Sequence, residues 1–314
     1  MMSAVIVGCD GQDGRLLYSH LSAAGYDLCG IGRTGVRGTL PGLPARVDVR
    51  DPSQVDALMQ RLKPDEVYYL AAFHHSSEDV PLGDTALYRR SHETHVDGLL
   101  NFLQSAKRYA PGARVFYAAS ALIFGDPEHA PQNETAPVSP VCLYGITKAT
   151  GYHLVRHYRS HYGLFASSGI LYNHESPFRG DRFVTQKIIS GALDIKRGRC
   201  SQLTLGDLSA AVDWGYAPDF VAAMHGILRA DKPDDFVVAT GILHTVQEFV
   251  EIVFDFLGME WRQYVIEDRR LIVRKCGNRV GNSQKLTRVT GWKPSVDLRE
   301  MIRILLTAKE AFNE

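Results

Sequence analysis

Three residues in the sequence could together move a proton to or from a hydroxyl group. Tyr144 and Lys148 are four positions apart, which places a phenol and an ammonium group on one face of a helix. A cation beside the phenol favours its ionised form, so Tyr144 could exchange protons near neutral pH. Ser120 follows a predicted strand, residues 113–118, and its hydroxyl could hold the same substrate oxygen. Because a Tyr and a Lys at this spacing also occur by chance on exposed helices, the catalytic interpretation depends on the surrounding sequence.

Glycine recurs at every third position after the first predicted strand, residues 4–7. Gly8, Gly11 and Gly14 would permit a tight turn, a close approach of the backbone to a pyrophosphate and close packing of the next helix. The N-terminus of that helix would add N–H donors and a positive dipole end. An ordinary strand-to-helix turn is the alternative, but a loop that follows a buried strand is where a dinucleotide site is expected. Together with the Ser, Tyr and Lys, this loop predicts hydride transfer with a nicotinamide dinucleotide. The positive nicotinamide would, like Lys148, favour the ionised form of Tyr144.

The second predicted strand, residues 26–31, is followed by a basic residue and by no acidic one. An acidic side chain at this place reads the free 2′-hydroxyl of the adenosine ribose, whereas an arginine accommodates a 2′-phosphate. Arg33 is the first charged residue after the strand, and Arg37 follows closely. A solvated loop arginine is the alternative reading. The sequence therefore favours NADP over NAD.

Composition excludes several other classes of protein. The 314 residues carry 35 Lys and Arg against 35 Asp and Glu, so the basic surplus typical of nucleic-acid-binding proteins is missing. No apolar run approaches the roughly 18 residues of a membrane span. The five cysteines have no metal-binding spacing, and the histidines show none with a carboxylate partner, so we expect no metal site. A reducing cytoplasm is the expected location.

Short apolar runs alternate with helical patterns through the first half of the chain. Helices are predicted near residues 52–62 and 96–109, and a further one at 246–257. This alternation predicts a Rossmann-type, doubly wound parallel α/β sheet with right-handed crossovers. We expect residues 1–170 to form the NADP-binding domain. Residues 171–314 should form mainly a smaller C-terminal substrate-binding lobe, with some segments returning to the first domain.

The chain resembles the extended short-chain dehydrogenase/reductase family, and within it the GDP-mannose 4,6-dehydratases. The most specific stretch is Asn-His-Glu-Ser-Pro-Phe-Arg-Gly at 173–180, followed by Phe-Val-Thr at 183–185; segments 213–215, 235–241 and 290–294 also match. The resemblance implies a nucleotide-sugar substrate, a GDP-hexose, and a homo-oligomer, dimer or tetramer. It also implies cofactor contacts from residues along the whole first domain and beyond: Gly8, Gly11, Gln12, Asp13, Gly14, Arg33, Asp48, Val49, Leu70, Ala71, Ala72, His74, Tyr144, Lys148, His174 and Arg179. The sugar nucleotide would be received by Asn173, Glu175, Val184, Thr185 and Lys187.

Four departures from the family pattern concern the chemistry. Family members have Thr-Ser-Glu where this chain has Ser120-Ala121-Leu122, and that Glu is the acid/base of the elimination. Leucine cannot move a proton. Val212 stands where the family has an arginine that can pair with phosphates, and an Arg-rich stretch at 269–275 is a possible substitute or simply a solvated loop. Phe73-His74 replaces Gln-Ser, and residues 81–90 form an insertion.

These departures leave three hypotheses open. Leu122 favours reduction of a 4-keto sugar, or epimerisation at C4, over full dehydration. Alternatively, the chain is a true 4,6-dehydratase in which another carboxyl, Asp126 or Glu175, is the base. A catalytically impaired nucleotide-sugar-binding partner subunit is the hypothesis of another class. The retained Ser120, Tyr144 and Lys148 argue against it, because a silenced enzyme has no chemical reason to keep them.

Overall fold

The computed structural model describes residues 2–73, 82–271 and 279–311. The strands are β1 (Ser3–Val7), β2 (Asp27–Ile31), β3 (Val36–Gly38), β4 (Glu66–Tyr69), β5 (Arg114–Ser120), β6 (Ala166–Leu171), β7 (Asn173–Glu175), β8 (Leu203–Leu205), β9 (Ala211–Val212), β10 (Trp214–Tyr216), β11 (Asp235–Val238), β12 (His244–Thr245) and β13 (Val265–Glu267). The α-helices are α1 (Gln12–Ala23), α2 (Pro52–Leu62), α3 (Asp84–His92), α4 (Gly98–Tyr109), α5 (Leu143–Tyr162), α6 (Val184–Lys196), α7 (Ala217–Arg229), α8 (Val246–Phe256), α9 (Gln284–Thr290) and α10 (Leu298–Ala311).

Within the described residues, seven strands form the main sheet in the order β11-β6-β5-β4-β1-β2-β3. Every neighbouring pair is parallel except β2 with β3, which is antiparallel at one edge. The strands β4, β6 and β11 are buried along their whole length. This burial on both faces agrees with the absence of a regular alternation of polar and apolar residues in these strands, although Glu66, Asp235 and two serines of β6 are buried with them. The predicted Rossmann-type parallel sheet is confirmed.

The carboxyl ends of the parallel strands lie at one edge of the sheet and carry the loops that matter for function. Strand β1 leads into the glycine loop, β4 into residues 70–73, and β5 into a 3-10 turn, Ala121–Phe124. The predicted helix at 52–62 has those limits, with Asp51 capping its first turn and Pro52 at its start. The helix predicted at 96–109 begins earlier, as a π-helical turn, Glu93–Asp97, that continues into α4.

Two hydrophobic clusters of buried residues hold the described chain together. The first surrounds the main sheet and includes residues of α7, β11 and α9 from the second half of the sequence. The second lies between α6, α8 and α10 and includes Leu203, Leu205 and Trp214 of the small strands. Helix α8 starts at a capping box between Thr245 and Glu248, which fixes where that helix begins. The division at residue 170 stays a prediction.

None of the helices in the described ranges is both long and apolar enough to cross a membrane.

Candidate functional site

The glycine loop, residues 8–14, leaves a space beside its backbone that a side chain on Gly8 or Gly14 would fill. Gly8 has a φ of +94°, and a Cβ on it would lie 2.8 Å from the Ala71 nitrogen, at the end of β4. A Cβ on Gly14 would overlap with the Gly8 carbonyl oxygen. Helix α1 begins directly after Gly11, and no side chain caps its first N–H groups. Open N–H donors at a helix start and a bare backbone suit the pyrophosphate of a dinucleotide.

The residues expected at the adenosine end lie on neighbouring loops. Arg33 is exposed just beyond β2. The Asp48 carboxylate accepts hydrogen bonds from Arg50 Nε (2.9 Å) and Nη2 (2.8 Å), and these bonds hold its pKa below the ordinary value despite partial burial. The Val49 carbonyl accepts a hydrogen bond from Asn101 Nδ2 at 2.9 Å. Asp48 and the Val49 carbonyl thus have partners within the chain, whereas Arg33 is exposed.

The segment after β4 runs along the glycine loop. The Leu70 N–H donates to the Val7 carbonyl (2.9 Å), so the chain continues beside β1 past the end of the strand. Ala71 is half-buried and Ala72 is exposed. His74, also expected here, lies outside the described residues, as does residue 81 of the predicted insertion; residues 84–92 of that region form α3.

The structure brings the Ser, Tyr and Lys to the same edge of the sheet. Ser120 is the last residue of β5, and its Oγ accepts a hydrogen bond from Leu122 N–H at 3.2 Å. Tyr144 lies in the first turn of α5. Lys148 is buried on the same helix, donates to the Ala118 carbonyl at 2.8 Å, and has its Nζ 5.8 Å from the centre of the Tyr144 ring. The spacing of four therefore places these two side chains together on one face of α5, as predicted.

The ionisation of this pair differs from what the sequence suggested. Burial raises the pKa of Tyr144 well above its ordinary value, more than the charge of Arg179 lowers it. Burial also lowers the pKa of Lys148 to about 7. Burial in the protein chain therefore opposes the phenolate that Lys148 is expected to favour, and the effect expected from the positive nicotinamide of a bound cofactor stays a prediction. Burial disfavours both charged forms, so Tyr144 keeps its proton at neutral pH.

His95 contacts Tyr144 and is a candidate site residue that the sequence analysis did not identify. Its Nε2 accepts a hydrogen bond from Phe73 N–H (2.9 Å), so its Nδ1 carries the ring proton and donates to Thr147 Oγ1 (2.8 Å). Its ring meets the Tyr144 ring edge-on at 5.0 Å between centres. This buried histidine joins the segment after β4 to α5. The π-helical turn that presents it is a form often found at functional sites, but no sequence pattern marks such a turn.

The segment at 173–176 is tied directly to the glycine loop. Gln12 Nε2 donates to the His174 carbonyl (3.1 Å), and Ser176 Oγ donates to Gln12 Oε1 (2.9 Å). His174 Nδ1 faces the Tyr172 carbonyl (2.7 Å) and its Nε2 faces Asp13 Oδ1 (3.0 Å). The glycine loop and the segment at 173–176 are far apart in sequence, but these hydrogen bonds hold them side by side.

The partners of His174 fix its charge. A carbonyl and a carboxylate can only accept, so both ring nitrogens must donate and His174 is an imidazolium. Burial alone would raise the pKa of Asp13, but His174, Gln12 and Arg179 lower it to about 2. Burial likewise opposes the charge on His174, and Asp13 outweighs it and raises the pKa of the ring. The loop is therefore held by a buried ion pair.

We expect His174 to stay protonated above its ordinary pKa of 6.5, and Asp13→Asn to reverse this. Without the carboxylate, burial and Arg179 lower the pKa and only the hydrogen bond to the Tyr172 carbonyl raises it; because burial is the largest of these effects, the ring of the variant should titrate below 6.5. Histidine titration by NMR, with the His174 signal assigned from a His174→Gln variant, measures both values. A His174 signal that titrates below pH 6.5 in the unmodified protein would contradict the ion pair.

The residues expected to receive the sugar nucleotide lie at the start of α6 and on β7. Asn173 is exposed on β7, and Val184 is partly exposed in the first turn of α6. Glu175 is buried, accepts a hydrogen bond from Thr185 Oγ1 (2.8 Å) and lies 3.5 Å from Arg179 Nε. Burial raises the pKa of Glu175 despite these partners. Arg179 Nε is buried and faces the Glu175 carboxylate without a well-aligned hydrogen bond.

Most of the residues that depart from the family pattern lie within the described part of the chain. Leu122 is half-buried in the 3-10 turn, and a Cβ on Gly145 would lie 2.6 Å from its carbonyl oxygen, so this turn packs on the start of α5. Val212 is half-buried on β9 and pairs with His244. Arg269 and Arg270 pair with Glu267 and Asp268 as exposed side chains. The stretch from 272 to 275 lies outside the described residues.

Comparisons with known proteins agree with this arrangement. The family model for GDP-mannose 4,6 dehydratase matches residues 5–305. The chain belongs to this family. GDP-mannose 4,6 dehydratase 2 of Arabidopsis thaliana is 36% identical over 324 residues, covering 96% of this chain and 85% of its own. The human GDP-mannose 4,6 dehydratase is 35% identical over 275 residues, covering 81% and 72%.

Solved structures share the fold. RMD from Pseudomonas aeruginosa, in complex with NADPH, superposes with a TM-score of 0.84 at 23% identity and covers 99% of this chain and 100% of its own. The UDP-glucose 4-epimerase of Thermus thermophilus, in complex with NAD, gives 0.81 at 26% identity, with 98% and 99% covered. The protein is thus a nucleotide-sugar-modifying enzyme of the extended short-chain dehydrogenase/reductase superfamily, in an NAD(P)-binding family.

Proposed function

We propose that this protein is an NADP-dependent enzyme that acts at C4 of a nucleotide-activated hexose, a GDP-hexose, through a 4-keto sugar. One observation supports the proposal: Tyr144 and Lys148 lie on one face of α5, and Ser120, which ends β5, accepts a hydrogen bond from the Leu122 N–H at the same edge of the sheet. The proposed redox residues are present, and Leu122 stands where the resemblance places the family's elimination carboxyl.

Bound NADP(H) would supply or accept the hydride. Gly8, Gly11 and Gly14 would hold its pyrophosphate against the start of α1, and Arg33 would meet its 2′-phosphate. In the direction of reduction, Tyr144 gives its proton to the C4 oxygen as the hydride reaches C4, and the Ser120 hydroxyl orients that oxygen. The raised pKa keeps the proton on Tyr144 at neutral pH, so the proton is present when the hydride arrives, although burial also makes the phenol a weaker acid. Lys148, with a pKa of about 7, can return the proton.

Leu122 is the reason to propose reduction or epimerisation in place of dehydration. Elimination of the C6 hydroxyl needs a group that removes the C5 proton, and losing a positioned base costs about 10²- to 10⁴-fold in rate. Asp126 is exposed and lies 3.8 Å from Arg279. Neither Leu122 nor its chain neighbours Ala121 and Ile123 carry a carboxyl.

A second candidate function is a true 4,6-dehydratase that uses Glu175 as its base. The observation in its favour is that Glu175 is buried beside Arg179 with a raised pKa, as acid/base carboxyls commonly are. Against it, Glu175 is already engaged by Thr185. A Glu175→Gln variant separates the two candidates: only the dehydratase would lose its water-eliminating activity.

Assays with NADP(H) and a panel of GDP-, UDP-, CDP- and dTDP-sugars test the proposed function. Stoichiometric NADPH consumption with a 4-keto sugar nucleotide supports the reductase, and interconversion of the C4 epimers supports the epimerase. A product lighter by one water supports the dehydratase. Absence of every reaction, together with binding of a nucleotide sugar, would support the partner-subunit hypothesis instead.

Arg33 should set the preference for NADPH over NADH. Replacing Arg33 by alanine should narrow the difference in binding free energy by about 1 to 3 kcal/mol, the range for a hydrogen bond to a charged group. Isothermal titration calorimetry with both dinucleotides measures the difference. Arg46→Ala is the matched control, because Arg46 is also exposed and donates to the Arg33 carbonyl (3.3 Å). Equal affinity of the unmodified protein for NADPH and NADH would contradict the NADP assignment.

A further inference from the structure

An acidic side chain lies at the end of β2, although β2 itself is followed by glycine. A Cβ on Gly32 would overlap with the carboxylate of Asp10, which comes from the glycine loop. Asp10 Oδ2 accepts hydrogen bonds from the Thr34 N–H (3.1 Å) and from Thr34 Oγ1 (3.1 Å). The carboxylate therefore occupies the space that a side chain on residue 32 would fill.

This position is where dinucleotide-binding folds read the adenosine ribose. An acidic group at the end of the second strand bonds the 2′-hydroxyl, and an arginine there accommodates a 2′-phosphate. Here both are present, since Arg33 directly follows Gly32. A main-chain N–H in a turn, such as that of Thr34, is a type of donor that binds phosphate oxygens. Asp10 already holds the Thr34 donors as an internal anion.

We propose that Asp10 is a specificity-determining residue that opposes Arg33: its carboxylate occupies the Thr34 donors and repels a 2′-phosphate, and so favours dinucleotides with a free 2′-hydroxyl. This rests on the proposed dinucleotide site and adds to it a residue that limits the preference for NADP. The sequence pattern alone hides this residue, because the acidic group reaches the end of β2 from a different segment.

The charge on Asp10 is maintained at neutral pH. Partial burial would raise the pKa of its carboxyl, but the N–H and hydroxyl of Thr34, with the charge of Arg37, lower it below the ordinary value. Arg37 itself is held in place, because its Nη2 donates to the Cys9 carbonyl at 2.8 Å. A 2′-phosphate at this site would therefore meet a fixed negative charge as well as Arg33.

Binding of paired ligands to the full chain tests the proposal. Adenosine 2′,5′-bisphosphate and adenosine 5′-monophosphate differ only in the 2′-phosphate, as NADPH and NADH do. Asp10→Asn keeps the size of the side chain and removes its charge. We expect it to strengthen binding of the bisphosphate and of NADPH roughly tenfold, because it removes a repulsion between like charges at short range. The affinity for the monophosphate and for NADH should change by less than about twofold. Isothermal titration calorimetry measures all four constants.

Two further variants make the result specific. Asp10→Ser should act in the same direction, and it provides a second reading should the first variant fold poorly. Asp255→Asn removes the same charge from an exposed pair with Arg299 (2.6 Å) on α8 and should change none of the four constants. The proposal would be overturned if both Asp10 variants left the ratio of the two dissociation constants of each ligand pair unchanged. The same holds if they weakened the binding of both ligands of a pair equally. If Arg33→Ala does not change the affinity for NADPH, the assignment of NADP as the cofactor fails, and this outcome is independent of the results with the Asp10 variants.

Discussion

Replacing Tyr144 by phenylalanine should lower turnover by at least about 10²-fold, the size of a lost general acid/base. The substitution removes one hydroxyl from the first turn of α5 and leaves the ring against His95, so folding and dinucleotide binding should remain close to normal. Steady-state kinetics with a 4-keto sugar nucleotide and NADPH, together with a dinucleotide binding constant, measure both effects. The loss should appear in kcat more than in the binding constant.

Tyr158→Phe is the matched control for this variant. Tyr158 lies on the same helix, is buried, and donates its hydroxyl to Gln104 Oε1 at 2.7 Å. Its loss should cost about 1 kcal/mol of folding free energy, typical of one hydrogen bond, and should leave turnover unchanged. A Tyr144→Phe protein with near-normal turnover would move the acid/base role to another residue. Loss of turnover in Tyr144→Phe would also exclude the partner-subunit hypothesis.

The unmodified protein should show little or no 4,6-dehydratase activity on GDP-mannose because Leu122 cannot take the C5 proton. Without that base the elimination should be about 10²- to 10⁴-fold slower than with it. Mass spectrometry of the reaction with NADP, GDP-mannose and excess protein detects a product lighter by one water. Dehydration at rates near about 1 s⁻¹, the lower end for ordinary enzymes, would show that another group is the base. Glu175 would then be the first residue to replace.

Leu122→Glu and Leu122→Gln form a matched pair for the same question. Both place a longer polar side chain in a half-buried position of the 3-10 turn, at a packing cost of about 1 to 3 kcal/mol, but only the glutamate can move a proton. Burial should raise the pKa of the new carboxyl. We therefore expect a small gain of dehydration in Leu122→Glu and none in Leu122→Gln. Equal activity of the two variants would mean that position 122 does not hold the base.

The parts of the fold that follow from local patterns were predictable from the sequence. The apolar run at 4–7 and the glycines after it predicted β1 and the loop, and the spacing of Tyr144 and Lys148 predicted their shared face on α5. Long-range contacts were not predictable in the same way. The hydrogen bonds of His95 depend on a π-helical turn, and the Asp10 carboxylate reaches Thr34 across 24 positions.

The ionisation of Tyr144 shows a different limit. Spacing places Lys148 next to the phenol, but the sign of the pKa shift depends on how deeply both groups are buried. The sequence shows which side chains can be charged, but it does not show how far each of them is exposed to water. The Asp13–His174 pair was not predictable either, since neither segment indicates by itself that the other lies beside it.

The fate of a labelled hydride tests the central claim most directly. The unmodified protein would be given a GDP-linked 4-keto hexose and NADPH deuterated at the transferred position of the nicotinamide, and the sugar would be examined by NMR and mass spectrometry. The proposed C4 chemistry predicts one deuterium at C4 of a hydroxyl sugar, with one NADPH consumed per product and no loss of water. Deuterium at C6, or a product lighter by one water, would contradict it.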